Sequence, residues 1–148
     1  PLKPLVENLN SAPLLVPIEL EAPKIRVSGT EKLFGNKVKN KTLIPAIKAA
    51  LIEHGVDVVV DRSVEDALVL KVQADTRIGG EGRGFYTAYL NATLSLKDSD
   101  GSLVMQKTLD NVKGVQTEKR RAGEEAYRKA SKQVLERFIE SFVEALYQ

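Results

Sequence analysis

Phe85-Tyr86-Thr87-Ala88-Tyr89-Leu90-Asn91-Ala92-Thr93-Leu94-Ser95-Leu96-Lys97 alternates without a break. Tyr86, Ala88, Leu90, Ala92, Leu94 and Leu96 fall on one face, and Phe85, Thr87, Tyr89, Asn91, Thr93 and Ser95 fall on the other. A period of two with a single apolar face marks an antiparallel strand covered on one side only. Strand patterns stand on both sides of it with no helix between. Residues 67–77 put Leu68, Leu70, Val72 and Ala74 on one side and Val69, Lys71, Gln73 and Asp75 on the other. A third strand, weaker in pattern, runs from Leu103 to about Val115 with Gly114 near its end. Residues 78–84 read as a glycine-rich hairpin tip, and Asp98-Ser99-Asp100-Gly101 is a strong turn signal. The chain therefore offers a broad sheet with one polar surface, which suits contact better than chemistry.

Upstream, residues 24–28 read as a short strand through Ile25 and Val27, and residues 29–39 as a basic loop holding Gly35 and Asn36. Asn40 or Thr42 can cap a helix running to about His54, with Pro45 in its first turn and Ile44, Ile47 and Leu51 at helical spacing. Gly55 supplies the left-handed residue that ends it. Residues 56–60 are then a strand, and a right-handed crossover sets residues 25–28 parallel to them. Residues 62–65 turn the chain, and Asp57 and Asp61 end that strand or face outward from it.

Downstream, one helix is expected from about residue 117 to residue 147. Its apolar stripe is Ala126, Ala130, Val134, Phe138, Phe142 and Ala145, flanked by Ile139 and Leu146. The small residues come first, so the N-terminal half can approach the sheet closely. These elements predict an α+β fold: a single, mostly antiparallel sheet with two helices packed on one face, in the order β-α-β-β-β-β-α. Residues 1–23, punctuated by Pro4, Pro13, Pro17 and Pro23, read as an extended leader, and residues 24–148 as a single α/β sandwich domain.

A chain of 148 residues fits one domain and can build a core without staples. Hydrophobic content of 43% and charged content of 28% are ordinary for a globular protein. A net charge of +2 exerts no general pull toward nucleic acid or acidic lipid. Cysteine is absent, which removes disulfides, thiolate metal sites and cysteine nucleophiles. No run of 18 apolar residues exists, so no helical membrane span is expected. The chain opens on Pro1 without an initiator methionine and is expected to be a processed chain or a fragment.

Several groups invite a functional reading. The only histidine, His54, stands at a helix C-terminus before Gly55, where a capping role outweighs a catalytic one. The tip Arg77-Ile78-Gly79-Gly80-Glu81-Gly82-Arg83-Gly84 has the composition of a phosphate-cradling loop but joins two strands rather than a strand and a helix. It reads either as a flexible hairpin or as a tip whose Arg77, Arg83 and Phe85 grip a partner. Asp98 and Asp100 faintly resemble a calcium loop whose later glutamate is missing. Lys119-Arg120-Arg121 puts cations at a helix start, where they are unfavourable, and with Lys32, Lys37, Lys39 and Lys41 forms either a solvated surface or a patch for phosphate groups. Tyr89 and Phe85 share the polar face with Asn91 and Thr87. Aromatics on an open sheet can stack on RNA bases, but the aromatic submotifs of the common RNA-recognition fold do not occur.

The order helix, strand, three-strand meander and long alanine-bearing helix resembles a group of bacterial envelope domains. The group comprises the LPP20-like lipoproteins, the amino-terminal domain of the translocation protein TolB and the curli-assembly lipoproteins. The residues that carry the resemblance are Ala46-Ile47-Lys48-Ala49-Ala50-Leu51, Gly55-Val56-Asp57-Val58-Val59-Val60-Asp61, Ala67-Leu68-Val69-Leu70-Lys71-Val72, 96–104 and 123–130. The lipid-bearing cysteine of such lipoproteins does not occur in this sequence. The resemblance implies a non-catalytic module of the periplasm or the outer membrane, meeting a protein partner in envelope assembly or maintenance. On this reading the contact residues are Arg77, Arg83, Phe85, Tyr89, Asn91, Arg120 and Arg121, with no catalytic residue, metal or cofactor. The rival reading is a nucleic-acid or phosphate-ligand binder using Lys37, Lys39, Lys41, Arg120 and Arg121. An enzyme is third, because no two suitable side chains stand in a recognisable arrangement.

Overall fold

The computed structural model describes residues 22–60 and 65–147. The strands are β1 (Lys24–Leu33), β2 (Asn36–Lys37), β3 (Asp57–Val58), β4 (Leu68–Gly82), β5 (Phe85–Lys97) and β6 (Leu103–Gln116); the helices are α1 (Leu43–Glu53), α2 (Lys119–Arg137) and α3 (Ile139–Leu146). They form one six-stranded sheet in the order β2-β1-β4-β5-β6, with β3 also paired to β1. The fold is α+β, as the sequence predicts.

The meander sits where the alternation puts it. β4 and β5 are antiparallel, as are β5 and β6. Ala88 is buried, and Leu90, Ala92, Leu94 and Leu96 form one core cluster with Leu70, Val72 and Ala74 and with the helical residues Ala126, Ala130, Val134 and Phe142. The outer side of β5 carries Phe85, Thr87, Tyr89, Asn91, Thr93 and Ser95, all exposed or half-buried. β1 runs parallel to β3, the crossover expected, and also parallel to β4, so the sheet is mixed.

Five local expectations are corrected. β1 continues through Gly29–Leu33 and returns as β2, where a basic loop was expected. The alternation was hidden because its core-facing position after Val27 and Gly29 is the carboxylate Glu31. Gly29 lies in mid-strand, where β1 passes so close to β4 that a Cβ would overlap the Val72 carbonyl. Secondly, β3 pairs over only two residues, Lys24 with Asp57 and Ile25 with Val58. Thirdly, β4 extends to Gly82, with a bulge between Ile78 and Gly80, so the tip is only the turn Arg83–Gly84, at φ 55° and 80°. Two left-handed residues in a row match the twist of the strands they join.

The fourth correction concerns the cap of α1. Thr42 occupies the cap position without a side-chain bond. The buried Glu31 carboxylate accepts the Thr42, Leu43 and Ile44 amides instead, at 2.7, 3.1 and 2.7 Å. An anion there also meets the positive end of the helix dipole. Finally, the terminal helix breaks at Phe138, giving three helices rather than two. Phe138, Ile139 and Phe142 all enter the core, and α3 ends with the Tyr147 hydroxyl beside Gly55.

Gly55 is left-handed at φ 83°, and the His54 ring donates through Nδ1 to the Ala50 carbonyl at 2.8 Å, which is the capping role. Asp98 is consumed by its turn, accepting the Asp100 and Ser102 amides at 3.1 and 3.0 Å. The leader expected over residues 1–23 lies outside the described residues except for its last two, and so do Asp61 and most of the turn at 62–65.

Candidate functional site

The polar face of the sheet gathers its side chains around an irregularity in β6. Leu90 pairs with Val112 but Ala92 pairs with Leu109, so Asp110 and Asn111 bulge opposite Asn91. Asn111 is left-handed at φ 55°. The Asn91 side-chain oxygen accepts the Asn111 amide at 2.7 Å and so closes the bulge. Its own side-chain oxygen is thereby turned toward Arg77, which donates to it. Arg77 lies directly across from Tyr89 in the register, with its guanidinium 5.3 Å from the ring centroid. A cation over a tyrosine face is attracted by the ring quadrupole.

The Tyr89 ring needs a bare backbone beneath it. A Cβ on Gly79 would lie 2.1 Å from the ring, so the glycine in the β4 bulge makes room for the aromatic. Lys113 follows on β6 as the register partner of Tyr89. Beside this group a shallow depression of about 230 Å³ is lined by Thr30, Lys32, Gln73, Ala74, Asp75 and Asn91. Asp75 at its edge accepts the Gly35 amide at 3.0 Å, which ties the β1–β2 turn to β4.

Arg77, Tyr89 and Asn91 thus come together on the outer face. Asn111, which the sequence reading missed, is what joins them. Its only trace in the sequence is the polar pair Asp110-Asn111 interrupting the third strand's alternation. Arg83 and Phe85 lie farther along the same ribbon, at the tip; Phe85 is 49% exposed and Arg83 holds a left-handed conformation. Across the tip, Glu81 opposes Tyr86, and a hydrogen bond with that carboxylate, with its charge, holds the Tyr86 phenol above its ordinary range.

Arg120 and Arg121 belong elsewhere. They open α2 on the helical side of the sheet, where Arg120 pairs with Glu124 at 3.2 Å and Arg121 with Glu118 at 3.8 Å. Lys119 lies 5.2 Å over the Phe34 ring in the β1–β2 turn. The seven residues singled out therefore divide between the outer ribbon and the start of α2.

Chemically, the outer group offers a guanidinium, two amides, an ammonium and an aromatic face. These recognise by hydrogen bonding and stacking. No cluster of three or more His, Cys, Asp or Glu side chains suited to a metal occurs among the described residues. No helix among them is long and apolar enough to cross a membrane.

No protein-family model and no curated protein matches the chain. Solved structures do. A minor lipoprotein from Acinetobacter baumannii is 19% identical, with a TM-score of 0.54 over 83% of this chain and 97% of that one. A homolog of a neuraminyllactose-binding hemagglutinin from Helicobacter pylori is 16% identical, with a TM-score of 0.58 over 89% of this chain and 96% of that one. At these identities the likeness is one of fold, and it extends over most of both chains.

Proposed function

We propose that the protein is a non-catalytic domain of the bacterial cell envelope, in the periplasm or at the outer membrane, that acts by contact with a protein partner. The observation that carries this reading is the outer face of β4, β5 and β6, where Arg77, Tyr89, Asn91 and Asn111 are assembled around a bulge and left facing out. Arg83 and Phe85 extend the surface to the tip. Support comes from Asn111, a non-glycine residue held left-handed within a strand of this ribbon rather than in a hairpin turn. Such residues persist where the surrounding structure holds them, and they gather at sites of use. The fold shared with a lipoprotein and a hemagglutinin homolog supports the envelope reading, as does the resemblance of the sequence to envelope domains.

The test is a photo-crosslinking side chain placed at Asn91 and, as a control, at the exposed Glu140 on α3. Irradiated in bacterial envelopes, the Asn91 probe should yield a discrete protein adduct that the Glu140 probe does not. Arg83→Glu should weaken that adduct while shifting stability by no more than about 0.5 kcal/mol, as expected for an exposed turn residue. Equal labelling from both positions, or an adduct indifferent to Arg83→Glu, would remove the outer face from the contact. Retention of nucleic acid that falls log-linearly with salt would instead favour the phosphate-binding alternative.

A further inference from the structure

We infer that the end of the sheet where β1 turns into β2 and α2 begins is a docking surface for an anionic lipid membrane. Two basic stretches far apart in sequence meet there. A Cβ on Gly123 of α2 would lie 2.5 Å from Leu33 and 3.2 Å from the Phe34 ring, so helix and turn are in direct contact. Tyr127 pins the same junction, its hydroxyl accepting the Lys32 amide at 2.8 Å and donating to the Lys32 carbonyl at 2.7 Å. Lys32 faces Lys37 across the hairpin, and Lys119 covers Phe34. Lys32, Lys37, Lys119, Arg120 and Arg121 thus share one end of the molecule.

Local energetics do not favour this arrangement. Like charges opposed across strands repel, and cations at a helix start oppose its dipole. The carboxylates at this end only partly offset them: Glu118 and Glu124 pair with Arg121 and Arg120, Asp75 holds the Gly35 amide, and Glu31 is buried under α1. An external polyanion would repay what the fold leaves uncompensated.

The apolar groups at the same end choose the kind of polyanion. β4 and β5 run on past the last β1 pair, Glu31 with Ala74, and carry Ile78, Phe85 and, from β6, Val115, at 41%, 49% and 38% exposure. α2 starts just after Gln116, the partner of Tyr86 on this arm, so the basic cluster stands at the root of the arm, with Ile78 on its own side of the sheet and Phe85 and Val115 on the other. A lipid surface takes aliphatic side chains into its boundary while cations reach the phosphates. A nucleic acid offers nothing to Ile78 or Val115.

The experiment uses the full chain with vesicles of phosphatidylcholine alone and of phosphatidylcholine mixed with phosphatidylglycerol. Sedimentation with the mixed vesicles only, weakening as salt rises, is the expected result. A Phe85→Trp reporter should shift its emission to shorter wavelength on the mixed vesicles. The triple variant K119Q/R120Q/R121Q removes the three cations from the start of α2 without setting new carboxylates beside Glu118 and Glu124, so it should fold, which its Tm checks, and bind the mixed vesicles about tenfold or more weakly. Equal binding to both vesicle types, full binding by the triple variant, or displacement by an RNA oligonucleotide at equal phosphate would overturn the inference. Phe85 belongs to both surfaces, but the two proposals remain separable, because crosslinking from Asn91 reads the outer face while the triple variant alters only the start of α2.

Discussion

The two faces of the sheet employ polar side chains in opposite ways. On the helical face, Glu31, Thr76 and Tyr127 are buried, and each holds backbone: Glu31 the first amides of α1, Thr76 the Phe34 amide at 3.1 Å, Tyr127 both backbone groups of Lys32. On the outer face, Arg77, Asn91 and Asn111 are exposed and bond mainly to one another around a bulge. A buried polar group without its partner forfeits its full desolvation cost, so the first set is bound to the fold. An exposed group can exchange its partner for water or another chain at little cost. The helical face therefore spends its polarity on stability, and the outer face keeps it for contact.

The sharpest way to break this contrast is Leu90→Asp. Leu90 is 0% exposed, and a carboxylate there should cost about 4 kcal/mol or more and abolish the cooperative transition in urea. A cooperative melt near that of the parent would mean that the phase of β5 is wrong. Glu31→Ala comes next: three amides lose their acceptor, and about 3 kcal/mol should go, with Glu31→Gln recovering part of it because one oxygen remains. A loss under about 1 kcal/mol would show that water caps α1 equally well.

Tyr127→Phe should cost about 1–3 kcal/mol by stranding the Lys32 amide and carbonyl. It also carries a pH signature. Burial, first among the causes, raises the Tyr127 phenol above its ordinary value. Its contribution is therefore complete below the unfolded value of about 10 and fades as pH rises beyond it. Urea melts at about pH 8 and about pH 11 should show the parent losing more stability than Tyr127→Phe over that interval; parallel losses would deny the effect. Smallest is Asn91→Asp, which keeps the oxygen that accepts the Asn111 amide and sets a carboxylate near Arg77. It should change stability by less than about 0.5 kcal/mol, and a larger loss would mean that the outer face is not free.

The parts legible in the chain were those whose signal is periodic. β5, the inner residues of β4, the stripe of α2 and α3 and the left-handed Gly55 all follow from neighbours a few positions away. The parts that escaped depend on residues distant in sequence. Glu31 looks like a loop charge until α1 is laid over it, and Gly123 looks like a weak point in a helix until Leu33 and Phe34 are found where its side chain would be. Asn111 looks like noise in a strand until Asn91 and Arg77 are seen to hold it.

From its alternation alone, this chain settles that a meander buries one face and bares the other, because side-chain direction along a strand is a local property of the backbone. Which bared groups meet, and that Lys32 and Lys37 come to lie beside the start of α2, was decided by close packing at Gly114 and Gly123. A Cβ on Gly114 would lie 2.1 Å from the Ala122 carbonyl, and so close an approach of strand to helix backbone is available only where the strand residue has no Cβ. That contact joins residues with no local relation, so no periodicity announces it.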